Sequence, residues 1–169
     1  MSNRANVHDI KSMVELFTTY PDVAQPLGGL HQAIMRSASM FSEGERELMA
    51  SLVSALNACD FCVGVHEAAA EGFGVEPGLL KSLLDDIDSA AVSDKLKPVL
   101  KYVAKLTRDP ARIVIADTDA IRAAGWDDDA IHNAVCVVAF YSFMNRYVDG
   151  IGLEAKADEL RWMGEQLVR

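Results

Sequence analysis

The sequence predicts an all-α protein, and three observations predict it. Apolar residues recur at helical spacing in every segment long enough to form an element, and no stretch alternates like a half-buried strand. Ala, Leu, Val and Met dominate, whereas Pro is limited to five residues, too few to break up long helices. Ser, Asn and Asp stand ahead of the periodic runs and Gly or Pro stand after them, where helix ends need them.

Taken in order, residues 8–18 and 21–37 form a first helical layer, with Pro21 suited to a first helical position and Gly28-Gly29 a weak point. Ser42 and Glu45 form a capping-box pattern that starts a helix over 43–56, with Leu48, Leu52, Ala55 and Leu56 as its core stripe. Glu47, Ser51 and Ser54 make a second stripe, small and polar, which is either a solvent face or the wall of a wet pocket. Asn57, with Asp60 three residues on, is expected to cap a helix over 58–72 that stops at Gly72 and Gly74. Cys59, Cys62, His66, Ala69 and Phe73 follow one face of it. A short helix over 77–87 begins at Pro77, and another follows Ser93 to about 107, with Pro98 tolerable near its first turn and Asp109-Pro110 ending it. Thr118 or Asp117 caps a helix to Ala124, closed by Gly125. Asp127 caps the longest helix, 128–148, whose middle from Ala134 to Met144 is apolar nearly all round and so is central or lies at a subunit contact. An amphipathic helix over 154–168 carries Leu160, Trp162, Met163 and Leu167.

At 169 residues the chain reads as one domain, 1–169, able to bury about 70% of its unfolded surface. A formal charge of −9 argues against nucleic acid or an anionic membrane surface as partner, since both need a basic patch. Met1 to Asn6 show no apolar core of signal-peptide length, and no apolar run reaches the roughly eighteen residues of a membrane span, so a cytoplasmic location is expected. Three cysteines are too few, and odd in number, for a disulfide framework, which suits a reducing compartment. In that setting C-x-x-C means redox or metal chemistry.

The chemistry-bearing string is E-x11-C-x2-C-x3-H, formed by Glu47, Cys59, Cys62 and His66. Two thiols three residues apart at a helix start are close enough to join, and the unpaired amides there favour a thiolate. An ordinary thiol of pKa near 8.5 is only about 3% ionised at pH 7, whereas one lowered to about 6 is about 90% ionised. His66, one turn beyond Cys62, adds to that shift when protonated, and Glu47 is the candidate base. Zinc is the competing use of these four side chains, although successive turns of one rigid helix present a tetrahedron poorly. Cys136 is expected to be a small buried hydrophobe. His8, His31 and His132 show no partner pattern and read as structural or surface residues. Asn145 and Arg146 are expected to fix a helix end or a subunit contact, while Phe140 and Tyr141 read as core that could also wall a pocket.

The Glu47, Cys59, Cys62, His66 string, the preceding Leu52-Val-Ser-Ala-Leu-Asn57 and the later Phe143-Met-Asn-Arg-Tyr-Val-Asp-Gly150 resemble the alkylhydroperoxidase D (AhpD) branch of the carboxymuconolactone decarboxylase-like superfamily, and more closely its peroxidase-related members. The resemblance spans roughly residues 20–155. It implies an all-α, AhpD-like multihelical bundle assembled as a homo-oligomer, trimeric or hexameric, with no bound cofactor. It also implies reduction of hydroperoxides by the cysteine pair, which a dithiol such as a lipoyl group or a thioredoxin-like protein then re-reduces. By the same resemblance Cys62 is the peroxidatic thiol, Cys59 the resolving thiol, and His66 with Glu47 the proton relay. The histidine that alkylhydroperoxidase D itself has just before the second cysteine is Phe61 here, a departure that brings weak turnover, or a redox-sensing or disulfide-exchange role, into consideration. Decarboxylation proper fits less well, because relatives with that activity lack the cysteine pair.

Overall fold

A computed structural model describes residues 7–169, and among them every regular element is helical. A short 3-10 turn at Val7–Asp9 leads into α1 (Met13–Thr19) and α2 (Pro21–Met35), followed by α3 (Glu43–Leu56), α4 (Asp60–Gly72) and α5 (Leu79–Asp85). Then come α6 (Lys97–Arg108), a 3-10 turn at Pro110–Arg112, α7 (Ile115–Ala123), α8 (Asp128–Ile151) and α9 (Ala157–Leu167). The reading of the N-terminus falls on residues 1–6, outside the described residues, and so does the side chain of His8.

The centre of the molecule is α3. Its start is the expected capping box: Ser42 Oγ accepts from the Glu45 N–H at 3.1 Å while the Glu45 carboxylate accepts from the Ser42 N–H at 2.8 Å. From Arg46 to Ser54 the helix is buried, packed against α4, α5, α6 and α8. The Glu47, Ser51, Ser54 stripe is therefore neither a solvent face nor, for the serines, a pocket wall. Ser51 Oγ and Ser54 Oγ donate back to the carbonyls of Leu48 (2.9 Å) and Ala50 (2.8 Å), which lets small polar groups be buried without a penalty.

The turn between α3 and α4 corrects the expectation that Asn57 starts the next helix. Asn57 ends α3, Ala58 takes a left-handed conformation with φ 58°, and Cys59 stands at the N-cap of α4. The Cys59 N–H donates to the Ser54 carbonyl (3.0 Å) and the Ala58 N–H to that of Ala55 (3.1 Å), the paired bonds of a Schellman stop. Three other helix ends, after α4, α7 and α8, make the same pair of bonds around Gly74, Gly125 and Gly152. Only at the cysteines does an alanine hold the left-handed position, at a cost of roughly 1–2 kcal/mol.

The remaining differences are at helix starts. Gly78, left-handed at φ 78°, rather than Pro77 precedes α5, and α6 begins at Lys97 so that Pro98, which lacks an N–H, falls within the first turn. Asp117 does not precede α7 but lies in its first turn, accepting from the Val114 N–H at 2.8 Å. The longest helix, α8, is capped by Asp127 as expected, yet it buries one side and leaves Ala139 and Phe143 exposed. Cys136 is half-buried on that outer side, not buried, with its sulfur 3.6 Å from His132 Nε2.

The last helix, α9, lies on α4 through glycine. A Cβ on Gly164 would come within 2.7 Å of the Ala68 Cβ, and one on Gly64 within 2.8 Å of the Leu160 side chain. This close crossing carries Trp162, Met163 and Leu167 over the face of α4 that bears Cys62 and His66, making α9 a wall of the site.

Candidate active site

Glu47, Cys59, Cys62 and His66 converge, and each is buried. Glu47 extends from the middle of α3 to His66 on α4, where its Oε2 accepts from Nδ1 at 2.7 Å. The bond assigns the proton to Nδ1 and leaves Nε2 as the nitrogen free to exchange one. A wholly buried carboxylate would ordinarily take up a proton, and burial does push Glu47 that way. The charge and hydrogen bond of His66, together with Arg36, overcome it and hold the carboxyl below its usual range.

Arg36, at the end of α2, is the partner that sequence reasoning missed. Its Nη2 lies 2.5 Å from Glu47 Oε1 and donates to the Leu167 carbonyl of α9 at 3.2 Å, while its guanidinium stands 5.0 Å over the ring of Phe73. A guanidinium that neutralises a buried carboxylate and stacks on an aromatic is a role lysine fills poorly. One arginine thus ties α2, α3 and α9 together behind the relay.

The two thiols occupy different surroundings. Cys62 is in the first turn of α4, whose leading amides have no side-chain cap, and it forms part of the wall of an apolar pocket of about 420 Å³. A hydrogen bond from the Cys59 thiol, the charge of His66 and a hydrogen bond from Asn145 lower its pKa despite burial. Cys59 is fully buried and does not line that pocket. Donating to Cys62 and burial both push its own pKa far up. On its side, Ala58 and Asp60 open onto a separate acidic groove that also includes Asp149 and Glu154. Phe61 lines both the groove and the pocket, between the two cysteines in sequence and between their surroundings in space.

Asn145 fixes a helix end, as expected. Its Nδ2 donates to Ser54 Oγ and its Oδ1 accepts from Asn57 Nδ2, both at 2.9 Å, which pins α8 to the end of α3 just ahead of Ala58. Arg146 instead bonds the Ser142 carbonyl of its own helix at 2.6 Å and is exposed. His31, read as structural or surface, lines the pocket from α2, and burial, with the nearby His66 charge, lowers its pKa to about 4, so its ring is neutral at pH 7. Tyr141 does wall the pocket, its ring edge-on to His66 with centroids 4.4 Å apart. Among the described residues no three His, Cys, Asp or Glu side chains are placed to hold one metal ion, and Glu47 is engaged by His66 and Arg36.

Similar structures share this architecture. An uncharacterized peroxidase-related protein with an alkylhydroperoxidase AhpD core, from Ralstonia eutropha JMP134, is 25% identical with a TM-score of 0.80, over 90% of this chain and 80% of its own. An uncharacterized peroxidase-related protein from Silicibacter sp. TM1040 is also 25% identical, with a TM-score of 0.80 over 92% of this chain and 79% of its own. The debrominase Bmp8, solved with 2,3,4-tribromopyrrole, shares the fold at 14% identity, with a TM-score of 0.75 over 92% of this chain and 81% of its own. No curated protein sequence matches this chain. The carboxymuconolactone decarboxylase family model matches residues 21–105, which carry α2 to α5, most of α6 and the whole Glu47, Cys59, Cys62, His66 string. This chain belongs to the carboxymuconolactone decarboxylase family, on its AhpD-like side.

Proposed function

We propose that this protein is a thiol-dependent hydroperoxide reductase in which Cys62 is the nucleophile. One observation carries the reading: of the two thiols, Cys62 is the one that is acidified, lines the apolar pocket and stands beside a histidine oriented by a buried carboxylate.

The Cys62 thiolate attacks the outer oxygen of a hydroperoxide ROOH. The O–O bond breaks, the leaving RO oxygen takes a proton from His66 and departs as ROH, and Cys62 becomes a sulfenic acid. Glu47 stabilises the imidazolium before that transfer and fixes the ring afterwards. Cys59 then gives up its proton and attacks the Cys62 sulfur, forming the disulfide and releasing water. A dithiol reductant, of the lipoyl or thioredoxin-like kind, is oxidised as it restores both thiols, so the sum is ROOH plus a dithiol giving ROH, water and a disulfide. No bound cofactor takes part. A homo-oligomer, trimeric or hexameric, and a cytoplasmic setting belong to the same reading, and the exposed apolar side of α8 around Phe143 suits a contact between copies.

The test is a hydroperoxide titration of the reduced protein, followed by mass spectrometry at both cysteines. Cys62→Ser is expected to lower peroxide consumption at least about 10³-fold. Cys59→Ser should consume one equivalent and stop as a sulfenic acid on Cys62. Turnover retained in the Cys62 variant overturns the mechanism, and oxidation far slower than an ordinary enzyme turnover in the wild type makes the pair a redox switch instead.

A further inference from the structure

Joining the two sulfurs requires a proton to leave Cys59, and the way out is not through the relay. Cys59 is 0% exposed and does not line the apolar pocket on which Cys62 and His66 open. A buried thiol attacks only as its proton departs, so a second acceptor has to stand on the Cys59 side.

One face of α8 supplies it. Tyr141, Asn145 and Asp149 recur every four residues along that helix and so share a side. Tyr141 stands edge-on to His66, and Asn145 bonds Ser54 and Asn57 at the end of α3. One turn further on, Asp149 reaches the turn that holds the cysteines. It lines the same groove as Ala58 and Asp60, the residues on either side of Cys59, and accepts a hydrogen bond from the Cys59 thiol. The stop of α8 fixes its backbone, because the Asp149 carbonyl accepts from the Gly152 N–H at 3.0 Å. Asp149 is itself exposed, so one carboxylate touches both a sealed thiol and solvent. The place is otherwise a poor one for an acid: the last turn of a helix disfavours negative charge, and this turn holds no basic residue.

The Cys59 thiol has one proton and two acceptors, the Cys62 sulfur and the Asp149 carboxylate. While Cys62 is a thiolate, the bond to it holds that proton. Oxidation of Cys62 removes the charge, and the carboxylate is then the stronger acceptor. We infer that Asp149 is the base that takes the Cys59 proton as the disulfide closes and passes it to solvent in the acidic groove. The Cys59 sulfur bonds the Cys62 sulfur while its S–H bond breaks toward Asp149, and the S–O bond of the sulfenic acid breaks with its oxygen leaving as hydroxide. Asp149 returns the proton to solvent, which protonates the hydroxide. The sum is a thiol plus a sulfenic acid giving a disulfide and water, with the Cys62 sulfur reduced and the Cys59 sulfur oxidised. A carboxylate is a weaker base than a thiolate, but sulfur loses its hold on the proton as it bonds its neighbour, so the transfer accompanies closure instead of preceding it. Cys59 therefore stays protonated until Cys62 has reacted.

The sulfenic acid in this step rests on the reductase reading above, whereas closure of the pair does not, and an uncharged disulfide reads closure without peroxide. Dipyridyl disulfide should react in two phases with the reduced full-length protein carrying Cys136→Ser. Cys62 attacks it and releases one equivalent of thiopyridone, and Cys59 then closes onto Cys62 and releases the second. Asp149→Asn should slow the second phase at least about tenfold and change the first by less than about twofold. Acetate should restore the second phase of Asp149→Ala, because the groove is open to solvent. Glu154→Gln, which removes the same charge from the same groove, should change either phase by less than about twofold. Asp149→Asn should also melt no lower than the wild type, since it takes a charge away from the unfavourable end of a helix. With hydroperoxide as oxidant, the Cys62 sulfenic acid of Asp149→Asn should form at the wild-type rate and outlive that of the wild type by at least about tenfold. Equal second phases in the wild type and Asp149→Asn, equal slowing by Glu154→Gln, no rescue by acetate, or a single equivalent released by the wild type overturns the assignment. So does a fall in melting temperature with both phases slowed, the mark of a structural role. A second phase that depends on Asp149, together with no hydroperoxide turnover by the wild type, overturns the reductase reading and leaves this one standing.

Discussion

Cys59 and Cys62 lie three residues apart at one helix start, yet the protein treats them as opposites. Cys62 forms part of an apolar pocket wall, with His66 one turn beyond it and lone amides around it, and its pKa falls. Cys59 is sealed beneath the turn between α3 and α4, beside an acidic groove, and its pKa rises because its proton is held on the bond to Cys62. Proximity alone would make two interchangeable thiols. What separates them is contact with the pocket, the direction of one S–H···S bond and the neighbours of each, His66 and Asn145 beside Cys62 and Asp149 beside Cys59, so a pair that can join has one member ready to attack and one held in reserve.

The comparison breaks most severely at Glu47, which serves only the Cys62 side. Glu47→Gln keeps the shape but leaves the Arg36 guanidinium, whose side chain is only 11% exposed, without its buried counter-charge and with only the more exposed Glu43 carboxylate, 3.9 Å away. Removing one member of a buried pair costs about 3–5 kcal/mol, so the melting temperature should fall by roughly 10 °C. Hydroperoxide turnover should drop about 10²-fold, since His66 loses the group that orients it and stabilises its cation. The carboxyl of Glu47 is held below its usual 4.5, so its contribution to stability is complete above that pH and is lost as pH falls through the depressed value. The variant should therefore show a flatter acid limb in thermal unfolding across pH. An unchanged melting temperature and an unchanged acid limb would mean that the Arg36, Glu47, His66 chain does not hold in solution.

A smaller effect is expected at Phe61, which divides the two surroundings. Phe61→His places an imidazole just before the second cysteine, where the resemblance puts one in alkylhydroperoxidase D itself. It should raise turnover by up to about tenfold if the missing group limits proton transfer, at a stability cost of about 1–3 kcal/mol for placing a polar ring where Phe61 is 9% exposed. Turnover that stays the same while stability falls would show that His66 and Glu47 suffice on the Cys62 side.

Much of this site was legible because its chemistry lies on two consecutive helices with fixed spacing. Glu47, Cys59, Cys62 and His66 could be named from the string alone, and the helices from their caps and apolar stripes. Arg36 could not, because nothing in the sequence around it marks a contact with a carboxylate eleven residues later and on another helix. His31 was hidden for the same reason, whereas Tyr141 could be named as a possible pocket wall, although an aromatic in an apolar run reads first as core. The burial of α3 was concealed by Ser51 and Ser54, whose hydroxyls turn back to their own backbone and so make a core face look wet. The turn ahead of the cysteines was misplaced because its stop is signalled elsewhere in the chain by glycine, and here the left-handed residue is Ala58.

The most direct test of the asymmetry is the rate of iodoacetamide alkylation at each cysteine of the reduced, folded protein from pH 5 to 9, resolved by mass spectrometry. Lowering of the Cys62 pKa predicts that its rate climbs and levels off well below the pH at which an ordinary thiol ionises, whereas Cys59, raised and buried, stays unmodified across the range until Cys62 is blocked. Alkylation of Cys59 before Cys62, or two equal rates that rise together with the midpoint of a free thiol, would contradict it.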